Sequence, residues 1–259
     1  MKIVVKIGGA ALDDARLRHN CARAIGELAR QHQVAVVHGG GAALTRTLQQ
    51  LGKKSEFVNG LRMTDAETRD AALMVLAGQV NKQLVAELAA AGQTAIGICG
   101  GDGASFRAHK KVASCELGFV GEICAVDMRW IEIIWKNRGI PVIASLALGM
   151  DGAYYNVNAD QMAGACAAAC KADALIFLTD VPGVIDAGGA VMRRLSANAI
   201  AALAEQSVIG AGMLPKLEAC KEALRRGVSQ VRIFPALEAS ALSAFCSGKS
   251  QLGTEVLAT

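Results

Sequence analysis

Aromatic residues are scarce, 4% of the chain, and nowhere do they interleave with a block of basic residues. That removes the usual signature of a nucleic-acid-binding surface, and a net charge of +4 spread evenly over 259 residues does not restore it. Histidine is sparse as well, with 4 residues, and the 8 cysteines include no C-x-x-C pair, so zinc-type spacing is missing. Cys21, Cys99, Cys115, Cys124, Cys166, Cys170, Cys220 and Cys246 read instead as reduced thiols serving as small core residues in a reducing compartment. No uncharged apolar stretch approaches the ~18 residues that cross a bilayer. The opening Met1-Lys2-Ile3-Val4-Val5 is a strand pattern, without the basic, apolar and small-residue order of a signal peptide. The expectation is a cytoplasmic protein, with neither nucleic acid nor membrane as a partner. Repeats, low-complexity tracts and Pro/Ser-rich linkers are also missing. At 53% hydrophobic and 19% charged, the chain can bury a substantial core as one two-lobed domain or two small ones.

What the chain has in quantity is alternation. Short apolar runs at residues 3–7, 34–37, 94–99, 140–144, 174–178, 231–234 and 255–257 read as strands. Helical periods fall at about residues 14–31, 42–51, 66–77, 80–91, 131–138, 161–170, 197–205 and 217–226. Residues 106–126 read as short strands and turns, and Asp151-Gly152 as a hairpin turn before Tyr154-Tyr155-Asn156-Val157. This order predicts an α/β protein with a mainly parallel sheet. The lobes divide near Lys171, giving residues 1–171 and 172–259. Ligands are expected outside the carboxyl ends of the strands.

Glycines stand at those ends. Lys6-Ile7-Gly8-Gly9 closes the first strand, and His38-Gly39-Gly40-Gly41 closes the second. Glycine turns that open helices present backbone N–H groups to an anion. Two of them, one with a lysine, point to phosphate, yet neither has the spacing of a Walker A loop. Lys216, in Gly212-Met213-Leu214-Pro215-Lys216, stands at a helix entry. Asp160, after Asn156-Val157-Asn158-Ala159, either caps the following helix or holds two lysine ammonium groups in place. Arg62, in Asn59-Gly60-Leu61-Arg62-Met63-Thr64-Asp65, suits a two-pronged bond to a carboxylate, while Thr64 or Asp65 is placed to cap the next helix. Three signals are set aside. Gly248-Lys249-Ser250 lacks the first glycine of a P-loop, Gly100-Gly101-Asp102-Gly103 reads as a flexible loop, and His38 reads as a base or as a hydrogen-bonded structural residue.

Together with Gly118-Phe119-Val120-Gly121, these motifs occur in an order that resembles the amino acid kinase family, and within it the kinases of N-acetylated glutamate. The likeness runs from the first strand to Gly253-Thr254. It implies a three-layer α/β/α sandwich with a mainly parallel central sheet, the carbamate kinase-like fold. It also implies ATP-dependent phosphorylation of the γ-carboxylate of N-acetyl-L-glutamate, the second step of arginine biosynthesis, with Mg²⁺ accompanying ATP. By the resemblance Lys6 and Lys216 stabilise the transferring phosphoryl group and Asp160 organises both lysines. Gly40 and Gly41 offer N–H groups to the acceptor carboxylate and phosphoryl oxygens, with Gly8 and Gly9 nearer the nucleotide phosphates. Arg62 and Asn156 hold the α-carboxylate and acylamino end of the substrate. Asp180, Val181, Pro182, Gly183, Val184 and Ile185, with Val208, Ile209 and Gly210, line the adenine and ribose site. The first lobe binds the acylglutamate and dimerises; the second binds ATP.

A carboxylate with a pKa of ~4.3 is ionised at neutral pH, so such a nucleophile needs charge relief rather than a general base. Magnesium held by phosphates and water needs no cage of protein carboxylates. Arginine-inhibited relatives carry an extra N-terminal helix that links dimers into a hexamer; with a strand already at Ile3, the expectation is a homodimer without that feedback. Two alternatives stay open. One is a sister kinase for N-succinylglutamate or a carrier-bound aminoadipate, the other a non-catalytic sensor with the same fold.

Overall fold

The computed structural model describes residues 1–205, 213–246 and 252–258. Its first strand, β1 (Lys2–Ile7), is buried from Ile3 onward, and a strand covered on both faces belongs inside a parallel sheet. Its companions are β2 (Gln33–His38), β3 (Phe57–Val58), β4 (Leu61–Arg62), β5 (Ala95–Ile98), β6 (Phe106–Lys110) and β7 (Val120–Val126). Then come β8 (Ile140–Ala144), β9 (Leu146–Gly149), β10 (Tyr154–Val157), β11 (Ala174–Thr179), β12 (Arg194–Ser196), β13 (Gln230–Pro235) and β14 (Thr254–Leu257). Eight of them form one sheet in the order β12-β14-β13-β11-β1-β2-β8-β5, parallel throughout except where β13 meets β14. Strands β6, β7, β9 and β10 close into a small barrel, and β3 with β4 makes a short hairpin.

The helices are α1 (Ala10–Asp13), α2 (Ala15–Ala29), α3 (Gly41–Gln50), α4 (Ala66–Ala72), α5 (Asn81–Ala90), α6 (Arg129–Lys136), α7 (Ala159–Ala169), α8 (Ala199–Glu205), α9 (Leu214–Arg225) and α10 (Leu242–Cys246). Strand parity sorts them into two layers. Ile3, Val5 and Ile7 join a core with residues of α2, α3, α4 and α5, whereas Val4 joins the core containing α6, α7 and α9. The expected three-layer α/β/α sandwich is therefore the observed one.

Three local readings need correction. Residues 66–90 form one rod rather than two helices, because wide π turns over Leu73–Val80 carry α4 into α5 without a break. Gly78, between the two expected helices, is tolerated inside the rod because the π-turn bonding runs through it. Gly100 to Gly103, expected as a loop, lead into a short 3₁₀ turn over Asp102–Ala104. The Cys99 N–H donates to Asp102 Oδ2 (2.6 Å), and side chains at Gly101 and Gly103 would collide with Tyr154 and Trp130. The helix expected from residue 161 starts earlier, at Ala159. Cys166 and Cys170 are buried free thiols, and seven free cysteines are present among the described residues.

Candidate active site

Strand order reverses between the parallel neighbours β1 and β11: the strand after β1 is β2 on one side, and the strand after β11 is β12, at the far edge of the other side. The crevice at such a point is where open α/β sheets bind ligands. Here it is bordered by Gly8 and Gly9 after β1 and Asp180 after β11, and a Cβ on Gly9 would sit 3.5 Å from Asp180 Oδ2.

Lys6 shares strand parity with Val4, so it projects toward the layer of α7 and α9. There its Nζ meets Asp160 Oδ1 at 2.9 Å, and Lys216 Nζ lies 3.2 and 3.1 Å from the two Asp160 oxygens. Lys216 also sits 5.2 Å from the ring centre of Phe177, the β11 residue paired with Lys6. All three charged residues are at most 8% exposed. One carboxylate shared by two ammonium groups leaves the cluster net positive. Burial by itself would raise the Asp160 carboxyl, but Lys6 and Lys216 outweigh it and hold the carboxyl below its ordinary value. Burial pulls the Lys6 ammonium down, Asp160 opposes this, and Lys216 adds to the lowering.

Asp160 is free for this duty because it does not cap its helix. Asn158 does, its side chain accepting from the N–H groups of Asp160 and Gln161. Asp160 stays in the first turn, where a carboxylate also favours the helix dipole. Lys216 is likewise in a first turn, with Pro215 beside it at the start of α9. In the Arg62 segment the cap is Asp65, which accepts from the Thr68 N–H. Thr64 acts differently, as a link: its hydroxyl donates to the Arg62 carbonyl and receives the Asn156 amide at 3.3 Å.

A cavity of about 230 Å³ adjoins the cluster, lined by Lys6, Gly8, Gly9, Gly39, Gly40, Gly41, Arg62, Asn156, Asn158 and Asp160. Arg62 is buried, donates to the Gly41 carbonyl (3.0 Å), Thr45 Oγ1 (2.8 Å) and Ser55 Oγ, and stacks 4.6 Å from the Phe57 ring centre. Sequence reading missed the apolar wall of Leu44, Phe57, Leu61, Leu76 and Val120, and missed Ser145. These are ordinary core residue types that only the fold brings together. The groove of about 990 Å³ around Lys2, Arg30, His32, Arg138 and Lys171 is larger, but it lies at the amino ends of the strands. Arg30 caps the carboxyl end of α2, and Arg138 and Lys171 follow those of α6 and α7, so these cations serve helix ends there.

Gly40 has φ +154°, and a Cβ there would lie 2.8 Å from Leu76 Cδ2 and 3.0 Å from Val80 Cγ2. Gly40→Ala is expected to destabilise the fold by about 1–3 kcal/mol through this overpacking. Urea unfolding measures it, and an unchanged midpoint would contradict the packing described.

Of the residues expected around adenine and ribose, Asp180 borders Gly9, Pro182 is exposed, and Val181 and Ile185 are half-buried. Val184 is in the core, its N–H donating to Thr254 Oγ1 at 2.8 Å, so its side chain offers a ligand nothing. Val208, Ile209 and Gly210 lie outside the described residues, as do Gly212 and the Gly248-Lys249-Ser250 segment.

A three-layer sheet protein with paired lysines, a bridging aspartate and glycine turns around one cleft is of the class that gathers positive charge and glycine turns at the carboxyl end of its sheet. The chain belongs to the amino acid kinase family, whose sequence profile matches residues 1–235. It is 62% identical to an acetylglutamate kinase of Acidobacterium capsulatum and 55% identical to one of Koribacter versatilis, both over the full length of each chain. Among solved structures it resembles smu.665 of Streptococcus mutans, with 29% identity and a TM-score of 0.82, over 100% of this chain and 99% of that one.

Proposed function

We propose that the chain transfers the γ-phosphoryl group of ATP to the γ-carboxylate of N-acetyl-L-glutamate, forming N-acetyl-L-glutamyl 5-phosphate in arginine biosynthesis. The observation that carries this reading is the meeting of Lys6 and Lys216 on Asp160 beside both glycine turns. Family membership and the acetylglutamate kinase relatives support it.

The acceptor is an anion attacking a polyanion, so repulsion dominates the barrier and electrostatic positioning is the remedy. A carboxylate oxygen forms a bond to the γ-phosphorus while the bond to the β–γ bridging oxygen breaks, and ADP leaves with that electron pair. Lys6 and Lys216 neutralise the equatorial and leaving oxygens, and Asp160 keeps the two ammonium groups from drifting apart. Gly8 and Gly9 face the nucleotide phosphates, and Gly40 and Gly41 face the transferring group. Arg62, pre-aimed by Gly41, Thr45 and Ser55, takes the α-carboxylate, and Asn156, held by Thr64, takes the acylamino end. Asp180, Val181, Pro182, Gly183 and Ile185 border the nucleoside, with Val184 packed beneath them in the core. Residues 1–171 then act as the acylglutamate lobe and 172–259 as the ATP lobe.

Among the described residues no three His, Cys, Asp or Glu side chains converge as metal ligands, and both Asp160 oxygens are occupied by lysines. Mg²⁺ in this reading arrives as part of the substrate, carried by ATP phosphates and water. No helix among the described residues is long and apolar enough to cross a membrane; the cytoplasm is the location this reading assigns to the enzyme. Assembly as a homodimer completes the proposal; Met74 (63% exposed) and Ile96 (44%), the latter on the outermost strand β5, are apolar surface that a second copy would cover.

Hydroxylamine converts an acyl phosphate to a hydroxamate. With ATP and Mg²⁺, hydroxamate is expected from N-acetyl-L-glutamate and not from free glutamate. A greater yield from the N-succinyl compound would replace this substrate with the sister kinase's. Nucleotide binding without any hydroxamate would favour a sensor.

A further inference from the structure

His38 ends β2 with the parity of Val34 and Val36, which turns it away from the lysines and toward the rod of residues 66–90. It is fully buried, and both ring nitrogens are engaged: Nδ1 lies 2.8 Å from the Gly39 carbonyl oxygen and Nε2 lies 2.9 Å from Asn81 Nδ2. A carbonyl only accepts, so Nδ1 carries the proton. The other end of the chain of bonds demands the same tautomer. Asn81 Nδ2 also donates to the Val142 carbonyl at 2.9 Å, and its Oδ1 accepts from Lys82 Nζ at 3.2 Å. The Asn81 amide is thus pinned with its nitrogen toward His38, making Nε2 an acceptor. A side chain on Gly97 would collide with Asn81 Oδ1, so the strand β5 leaves room for this orientation.

The consequence falls on the glycine turn. There are no cis peptides among the described residues, and in a trans peptide the carbonyl of one residue and the N–H of the next point in opposite directions. Fastening the Gly39 carbonyl to the imidazole therefore fixes the direction of the Gly40 N–H, and Gly40 lines the cavity. The π turns press Leu76 and Val80 against Gly40 from the same side and end at Asn81.

We propose that His38 and Asn81 are a positioning unit that locks the Gly39–Gly40 peptide so that the Gly40 N–H faces the reacting oxygens. The role rests on the phosphoryl-transfer reading above. His38 touches no reactant in it; it acts through the peptide. Burial, the main cause, lowers the His38 pKa to about 4, with Lys82 assisting against the Gly39 bond, so the ring stays neutral at working pH.

Two measurements test it. The ¹⁵N spectrum of the wild-type protein is expected to show a protonated Nδ1 and an unprotonated Nε2 on His38, unchanged between about pH 6 and 8. A protonated Nε2 overturns the proposal whether or not the chain phosphorylates acetylglutamate. In the hydroxamate assay His38→Leu is expected to lower kcat roughly a hundredfold with KM for ATP unchanged, the loss typical of a misdirected oxyanion donor. His38→Asn keeps a donor near the Nδ1 position and is expected to return kcat to within about tenfold of wild type. Leu and Asn variants equally impaired, or a Leu variant with full kcat, would refute it. If His38→Leu does not fold, the Asn variant and the spectrum decide. Absence of hydroxamate from the wild type would strike the kinase reading alone, leaving the tautomer result to judge the locked peptide.

Discussion

Lys216→Ala is expected to lower kcat roughly a thousandfold while changing nucleotide affinity far less. Lys216 sits in the first turn of α9, 7% exposed, with both Asp160 oxygens within 3.2 Å of its ammonium. Its charge is therefore fixed in place before any substrate arrives and costs no reorganisation during the reaction. A phosphoryl group in flight spreads charge over three equatorial oxygens, and a fixed cation stabilises that state more than the bound ground state. Removal should accordingly depress kcat and kcat/KM together. The fold should survive, because Lys6 remains paired with Asp160 at 2.9 Å and no isolated charge is left buried. Turnover by hydroxamate formation and ATP affinity by calorimetry separate the two quantities. Equal losses in both would mean that Lys216 merely holds nucleotide, and would favour a binding protein over an enzyme.

Much of this cleft is legible in the residues alone. Alternation of strand and helix predicts the parallel sheet, and the glycines at strand ends mark its carboxyl edge. Even the direction of Lys6 follows from parity, since residues two apart on a strand share a face. What pattern reading lacks is partner choice. Asp160 and Asn158 are both eligible caps, and only the backbone at the start of α7 shows Asn158 taking the bonds and releasing Asp160. Thr64 and Asp65 pose the same ambiguity with the opposite result for the neighbour: Asp65 caps, and Thr64 instead links Arg62 to Asn156. Asn81 gives no signal, because its partners His38 and Val142 are 43 and 61 residues away. The π turns are hidden because a 3.6-residue period does not register one extra residue per turn.

Asp160→Asn is expected to be the most damaging single change, and its signature is a pH dependence of stability. The amide keeps the shape of the carboxylate but removes the negative charge that the two buried ammonium groups share. Breaking a buried ion pair by deleting one partner costs about 3–5 kcal/mol, because the remaining charge is uncompensated; here two remain. In the wild type the Asp160 carboxyl is held below its unfolded value of 3.8. Its contribution is therefore present above that pH and lost as pH falls through the folded value. Lys6 behaves in the other direction. Burial already draws Lys6 below 10.5, and without Asp160 both the opposing attraction and the hydrogen bond vanish, so the folded variant binds its protons more weakly than the unfolded chain. Where the unfolded state holds more protons, stability rises with pH. The variant should thus be about 3–5 kcal/mol less stable than wild type near neutrality, and the gap should narrow as pH climbs toward 10.5 and Lys6 discharges. Urea unfolding of both proteins across neutral and alkaline pH measures the gap directly. A deficit that stays constant with pH, or one that is negligible at neutrality, would mean that the two ammonium groups do not depend on Asp160, and the electrostatic account of the cleft would fail with it.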